Sequence, residues 1–253
     1  MDRLDAALID IPGVAVRVVG RCGSTNAVLL GEALGADAAL LAAEEQTAGR
    51  GRRGRRWHSS PGADVTFSLA RRVRRPTREL AALSLVAGVA AASALRSLGA
   101  GAAALKWPND LVVGSAKLGG ILVETRPEGT ETRAVFGVGI NCRRTGGLDK
   151  RLRRAVASLD QFIAPRRNAV IEAIARALMA ALDRFEALGF EAVRPEWEAL
   201  HAHAGQRLRV RLADGSSISG IARGLAADGA LRLATRRGER AVRSGRVISA
   251  RAA

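Results

Sequence analysis

The chain has 253 residues, 48% of them hydrophobic and 3% aromatic, with no Tyr and a formal net charge of +16. That length allows one large domain, or a medium domain with a small appendage, and enough apolar residues for a sizeable core. No charge-free apolar run of about 18 residues is present, and the acidic start MDRLDAALIDIPGVAV lacks a basic leading region, so neither a membrane span nor a secretory signal is expected.

VAVRVV (14–19) alternates and is Val-rich, so it predicts a strand. Ser24 and Thr25 are good helix caps before the helix-permissive Ala27 to Leu34. ALLAAEE (39–45) reads as a buried strand and DVTFSLA (64–70) as an alternating one. Pro76 and Thr77 should open a long helix, with Thr77 as cap and Glu79 in its first turn. AALKW (103–107) predicts a short strand ending at Pro108, followed by strands KLGGILVET (117–125) and RAVFGVGIN (133–141). The texture turns helical after residue 150. Residues 168–188 carry apolar side chains at helical spacing, and a second helix is expected over roughly 191–202. From Gly205 onward, short alternating strands are punctuated by Asp214-Gly215 and Asp228-Gly229, which are strong hairpin signals. These elements predict an α+β chain in two domains. Residues 1–204 would form a mixed, largely antiparallel sheet with helices packed on it, and 205–253 a small β-barrel-like module.

Cys22 and Cys142 have neither metal-ligand nor redox spacing, which suits free thiols in a reducing cytoplasm. The +16 charge favours phosphate-bearing partners, whether nucleic acid or small substrate, although much of the dispersed Arg reads as solvated surface. QTAGRGRRGRRWHSS (46–60) is different, because its Arg residues are too crowded to pack in a core. Gly49-Arg-Gly51-Arg-Arg-Gly54 fits G-x-G-x-x-G, but no helix follows, so a dinucleotide fingerprint is set aside. An Arg-Gly nucleic-acid module would want aromatic stacking platforms, which this chain lacks. A clamp over one small anionic ligand fits better. Gly lets backbone N–H groups approach an anion, and Arg adds fork-shaped donors. LKWPNDLVVGSAKLGGILVE (105–124) supports this with Asn109, Asp110 and Lys117 beside Gly119 and Gly120, which leave room for a ligand.

Together GSTN (23–26), AAEEQTAGRGRRGRRW (42–57), KWPNDLVV with KLGGILVE (106–124) and GVGIN (137–141) resemble biotin–protein ligases, in the family's order. The resemblance covers roughly residues 14–145 and continues more weakly in SGIARGLAADGALRL (219–233). It implies a fold like that of class II aminoacyl-tRNA synthetases and biotin synthetases, followed by an SH3-like barrel. It implies formation of biotinyl-5′-AMP from biotin and ATP, with Mg²⁺ carried mainly by the phosphates and no certain metal ligands in the protein. Biotin would then pass to a lysine of a biotin carboxyl carrier protein, of acetyl-CoA carboxylase or another biotin carboxylase.

By the same resemblance, Ser24, Thr25, Asn26, Gln46, Arg50, Gly51, Arg52, Lys117, Gly119 and Gly120 would bind biotin. Arg52, Arg55, Trp57, Asn109, Asp110 and Asn141 would bind the adenylate. Lys117 and Arg52 would be catalytic. Only about a dozen residues precede the first strand, too few for the DNA-binding domain some members carry, so no operator binding is expected. Dimerisation stays open. A lipoate–protein ligase remains an alternative, as does the Arg-Gly module. His58 reads as a loop residue, and His201 and His203, two apart, would not face one another on a helix.

Overall fold

The computed structural model describes residues 2–144 and 155–252. The helical texture expected just after residue 150 begins outside that range. Strands β1 (Val14–Cys22), β2 (Ala38–Gln46), β3 (Asp64–Val73), β4 (Ala104–Lys106), β5 (Asp110–Val113), β6 (Ala116–Glu128) and β7 (Glu131–Asn141) form one sheet in the order β1-β2-β3-β7-β6-β5-β4. β1 and β2 run parallel, joined through helix α1 (Thr25–Gly31), and the other neighbours are antiparallel. The sheet is therefore mixed and largely antiparallel, with helices packed on it.

Helices α2 (Leu83–Ser97) and α3 (Arg167–Leu188) cover one face. α2 is apolar almost all round, as a helix enclosed by other elements must be. The span Thr77–Ser97 is apolar and long enough to match a membrane segment by composition, yet it is the core helix, with 67% of its most apolar window buried. Its uncharged stretch, residues 80–95, is bounded by Arg78 and Glu79 on one side and Arg96 on the other. α1 lies on the opposite face over a smaller cluster that includes Leu29, Leu41 and Val135.

Three local expectations change. Thr77 does not cap the long helix: Thr77–Ala82 is a 3-10 segment entered from Pro76 without a side-chain cap, while Glu79 does fall in the first turn of that segment, where it accepts from Arg75 Nε at 2.8 Å. The helix expected over 191–202 is a 3-10 turn at Phe190–Ala192 followed by the short helix α4 (Arg194–Ala199). The chain then leaves the helix and adds to the sheet edge, with Leu105 N donating to Leu200 O at 2.7 Å and Ala202 N to Leu105 O at 2.8 Å. Off the helix, the rings of His201 and His203 do meet, 6.0 Å apart and edge to face. Burial of His201 pushes its imidazole down to about 4.

Residues from 205 on form a five-stranded antiparallel sheet of β8 (Arg207–Arg211), β9 (Ser217–Leu225), β10 (Leu231–Thr235), β11 (Gly238–Val242) and β12 (Arg246–Arg251), in the order β11-β10-β9-β8-β12. Both hairpin signals fall in turns, between β8 and β9 and between β9 and β10. Among the described residues the outer strands β11 and β12 do not pair with each other, so the sheet is open where a barrel was expected. Its apolar face joins the main core through Leu208, Val210, Leu231 and Leu233. Trp107 Nε1 donates to Gly229 O at 3.3 Å across the junction.

Candidate active site

A cavity of about 390 Å³ opens between the α1 face of the sheet, the 46–57 loop and the C-terminal sheet. Its inner wall is built from α1. Ser24 caps that helix, its Oγ accepting from Ala27 N at 3.5 Å, and so fixes Thr25 and Asn26 on the cavity side. Gln46 Oε1 accepts from Thr25 N at 2.9 Å and from Thr25 Oγ1 at 3.1 Å. Ser68 Oγ reaches both Thr25 Oγ1 and Asn26 Oδ1 at 2.6 Å. Asn26 Nδ2 donates to Glu124 Oε2 at 2.8 Å and to Leu122 O at 3.2 Å. The result is a wall of amide and hydroxyl groups whose orientations are set by mutual hydrogen bonds, suited to a ligand that needs both donors and acceptors.

The loop folds back on itself. Arg50 and Arg56 form an antiparallel bridge, Trp57 N donates to Gly49 O at 2.9 Å, and a tight turn at Arg52–Gly54 holds Arg53 at φ 58°. Arg50 Nη2 pairs with Glu124 Oε2 at 3.1 Å, so one carboxylate oxygen holds both the loop and Asn26. Arg53 Nη2 reaches Ser244 Oγ at 3.3 Å, and Arg56 Nη2 reaches Thr47 O at 2.6 Å. Arg50, Gly51, Arg52, Arg55 and Trp57 all line the cavity. Burial, together with Arg53 and Arg55, lowers the Arg52 guanidinium from its ordinary value.

The third wall is the β4–β5 hairpin, with a cis Trp107–Pro108 peptide at its turn, and the start of β6. Asn109, Asp110, Lys117 and Gly120 face the cavity here. Lys117 Nζ pairs with Asp110 Oδ1 and lies 6.0 Å from the centre of the Trp57 ring. Asn109 Nδ2 donates to Ile121 O at 2.7 Å, pinning the turn to β6. The floor needs glycine at two places. A Cβ at Gly137 would collide with the Asn26 carboxamide, and one at Gly139 with the Trp57 ring.

Two anticipated site residues lie elsewhere. Gly119 is packed against Gly139 O and Ile140, so it serves strand packing and does not line the cavity. Asn141 is buried outside the cavity; its Nδ2 donates to Lys117 O at 3.1 Å and Ala157 O at 3.0 Å, anchoring the backbone that carries Lys117. Ser68, Glu124, Gly137, Gly139 and Arg246 were not anticipated, while Lys106, which the sequence sets beside Asn109 and Asp110, does line the cavity. A Ser between Phe67 and Leu69 in a buried strand was a readable signal of a buried polar contact. Arg246 gave none, because its approach depends on how the C-terminal sheet docks.

Among the described residues no group of three or more His, Cys, Asp or Glu is arranged to hold a metal ion. Asp110 is the one carboxylate among the described lining residues, and Lys117 already engages it.

A fixed ammonium, several guanidiniums and an amide-lined recess in one cavity suit a small ligand that carries both an anionic group and hydrogen-bonding groups. The family model of the Biotin/lipoate A/B protein ligase family matches residues 24–141, and that of the Biotin protein ligase C terminal domain matches 203–248. The chain is 37% identical over 228 residues to the bifunctional ligase/repressor BirA of Escherichia coli, spanning 88% of this chain and 70% of that protein. It is 36% identical over 222 residues to the biotin--[acetyl-CoA-carboxylase] ligase of Mycobacterium tuberculosis, spanning 85% of this chain and 81% of that protein. Its fold matches the biotin protein ligase from Aquifex aeolicus in complex with biotin and ATP with a TM-score of 0.78, at 24% identity over 94% of this chain and 99% of that one. The chain belongs to the biotin protein ligase family of enzymes.

Proposed function

We propose that this chain activates biotin with ATP and transfers it to one lysine of a biotin carboxyl carrier protein, with residues 1–204 as the catalytic unit and 205–253 as the C-terminal unit. In the first step a biotin carboxylate oxygen attacks the α-phosphorus of ATP. The bond to the bridging oxygen breaks, leaving biotinyl-5′-AMP and pyrophosphate. In the second step the carrier's neutral lysine amine attacks the acyl carbon. AMP departs, the amine loses a proton, and an amide remains.

The observation that carries this reading is Lys117, held by Asp110 at the cavity wall beside Gly120 and near the Trp57 ring. A preset ammonium there would stabilise charge growing on the phosphoryl oxygens, and later on the acyl oxygen, without reorganising during the reaction. Arg52 and Arg55 would bind the biotin carboxylate and the α-phosphate. Arg52 is half-buried, so solvent screens its attraction for an anion less than on an open surface. The Thr25, Asn26 and Gln46 wall, with Ser24 and the Arg50–Gly51 backbone, would take the ureido ring, which has both donors and acceptors. Trp57, Asn109 and Asp110 would cover the adenylate, and Asn141 would act through the Lys117 backbone. Holding both reactants in one cavity supplies much of the remaining rate. Among the described residues no group of three or more His, Cys, Asp or Glu is arranged as a metal cage, and Mg²⁺ would enter with ATP as counter-ion of its phosphates.

The test is biotin-dependent exchange of labelled pyrophosphate into ATP, which reads adenylate formation without a carrier. Exchange in the wild type that collapses in Lys117→Ala is expected. Exchange supported by lipoate and not by biotin would replace this reading with that of a lipoate ligase.

A further inference from the structure

Half of the net charge sits in the C-terminal fifth of the chain: residues 205–253 hold eleven Arg against two Asp and one Glu, a net +8 of +16. On β8 the alternation is complete, with Arg207, Arg209 and Arg211 exposed and Leu208 and Val210 buried. β12 adds Arg246 and Arg251, also exposed, in register directly opposite Arg211 and Arg207. Like charges placed directly across strands destabilise a sheet, so this arrangement costs stability wherever nothing neutralises it. Among the described residues none of these five side chains has an ion pair or hydrogen bond to an acid. The nearby Asp214 is taken up by the Ser216 hydroxyl at 2.7 Å and backbone N–H at 2.9 Å. Exposed Ser217, Ser219 and Ser249 complete the face in register with Arg211 and Arg209. The stripe does not stop at the surface. Arg211 and Arg246 also line the catalytic cavity.

We propose that the β8–β12 arginine face is the docking surface for an acidic protein domain, the carrier that offers its lysine to the cavity. This rests on the transfer reaction proposed above. Two arginines shared by stripe and cavity mean that an acidic face laid along the stripe is brought to the cavity mouth. A nucleic acid fits less well, because no aromatic side chain interrupts the stripe to stack on bases. Electrostatic attraction of this kind speeds encounter, is screened by salt, and leaves the chemistry unchanged.

The experiment uses the full chain and the biotin carboxyl carrier domain of an acetyl-CoA carboxylase, unmodified and with its surface carboxylates replaced by amides. The triple variant Arg207→Ser, Arg209→Ser, Arg251→Ser avoids every cavity residue. Its carrier KM is expected to rise on the order of tenfold and to lose most of its salt dependence. Pyrophosphate exchange should be unchanged, which also shows the variant is folded. The amidated carrier should reproduce the loss with wild-type enzyme and add little with the variant. Normal exchange with an unmoved carrier KM overturns the docking proposal. So does loss of RNA retention on a filter while carrier KM stays fixed, which would assign the face to nucleic acid. Absent exchange in the folded wild type would overturn the ligase reading itself, and the docking proposal with it.

Discussion

The arginines of the 46–57 loop and those of the C-terminal sheet share a side chain and differ in everything around it. In the loop, Arg50 is tied to Glu124, Arg53 to Ser244 and Arg56 to a backbone carbonyl, so their directions are set before any ligand arrives. On β8 and β12 the arginines alternate outward, opposite one another and beside serines. Preset charge stabilises a developing charge at one point, while unpaired surface charge attracts a partner from a distance. A net charge of +16 adds the two together and distinguishes neither.

The comparison can be broken from either side. The largest effect should come from Lys117→Ala, with biotin-dependent exchange falling by about 10²–10³-fold, the range for losing one preset electrostatic group. Gly137→Ala should come next. Its methyl meets the Asn26 carboxamide, so titration calorimetry should show biotin binding weakened by about 1–3 kcal/mol, with carrier KM unaltered. The triple arginine variant should show the opposite pattern, altering the carrier and sparing biotin. Glu124→Gln should be milder. It keeps an acceptor for Asn26 but loses the charge that holds Arg50, and a partly exposed pair of this kind is worth at most about 1 kcal/mol. Biotin dissociation should quicken no more than about fivefold, read by stopped flow.

The smallest expected effect concerns stability alone. Burial raises the Asp64 carboxyl to about 6 from 3.8, while its Oδ2 accepts from Ser60 N at 2.9 Å. A raised acid contributes stability that is complete below the unfolded value and lost as pH rises through the folded one. Asp64→Asn keeps the acceptor and cannot ionise. Its Tm relative to wild type should therefore be higher at neutral pH than in acid below 3.8, by a few degrees. A pH-independent difference would contradict the assignment.

Much was legible from the chain alone, for physical reasons that are local. Alternation marked β1, β3 and the C-terminal strands, because side chains in a strand point to opposite faces in turn. The turn pairs Asp214-Gly215 and Asp228-Gly229 marked hairpins because glycine permits the positive φ found at both, 84° and 78°. The crowding of Arg and Gly in residues 46–57 marked a loop outside the core because such charge cannot enter one, and that loop lines the cavity. Only the tertiary structure could show that Gly119 and Asn141 stand back from the cavity while Ser68 and Glu124, on separate strands, complete its hydrogen bonds. It alone shows that Arg211 and Arg246 extend a surface stripe into the cavity. Those facts depend on register and on how one sheet docks against another. Contacts between residues far apart in sequence leave no periodicity in either segment, so no local pattern can carry them.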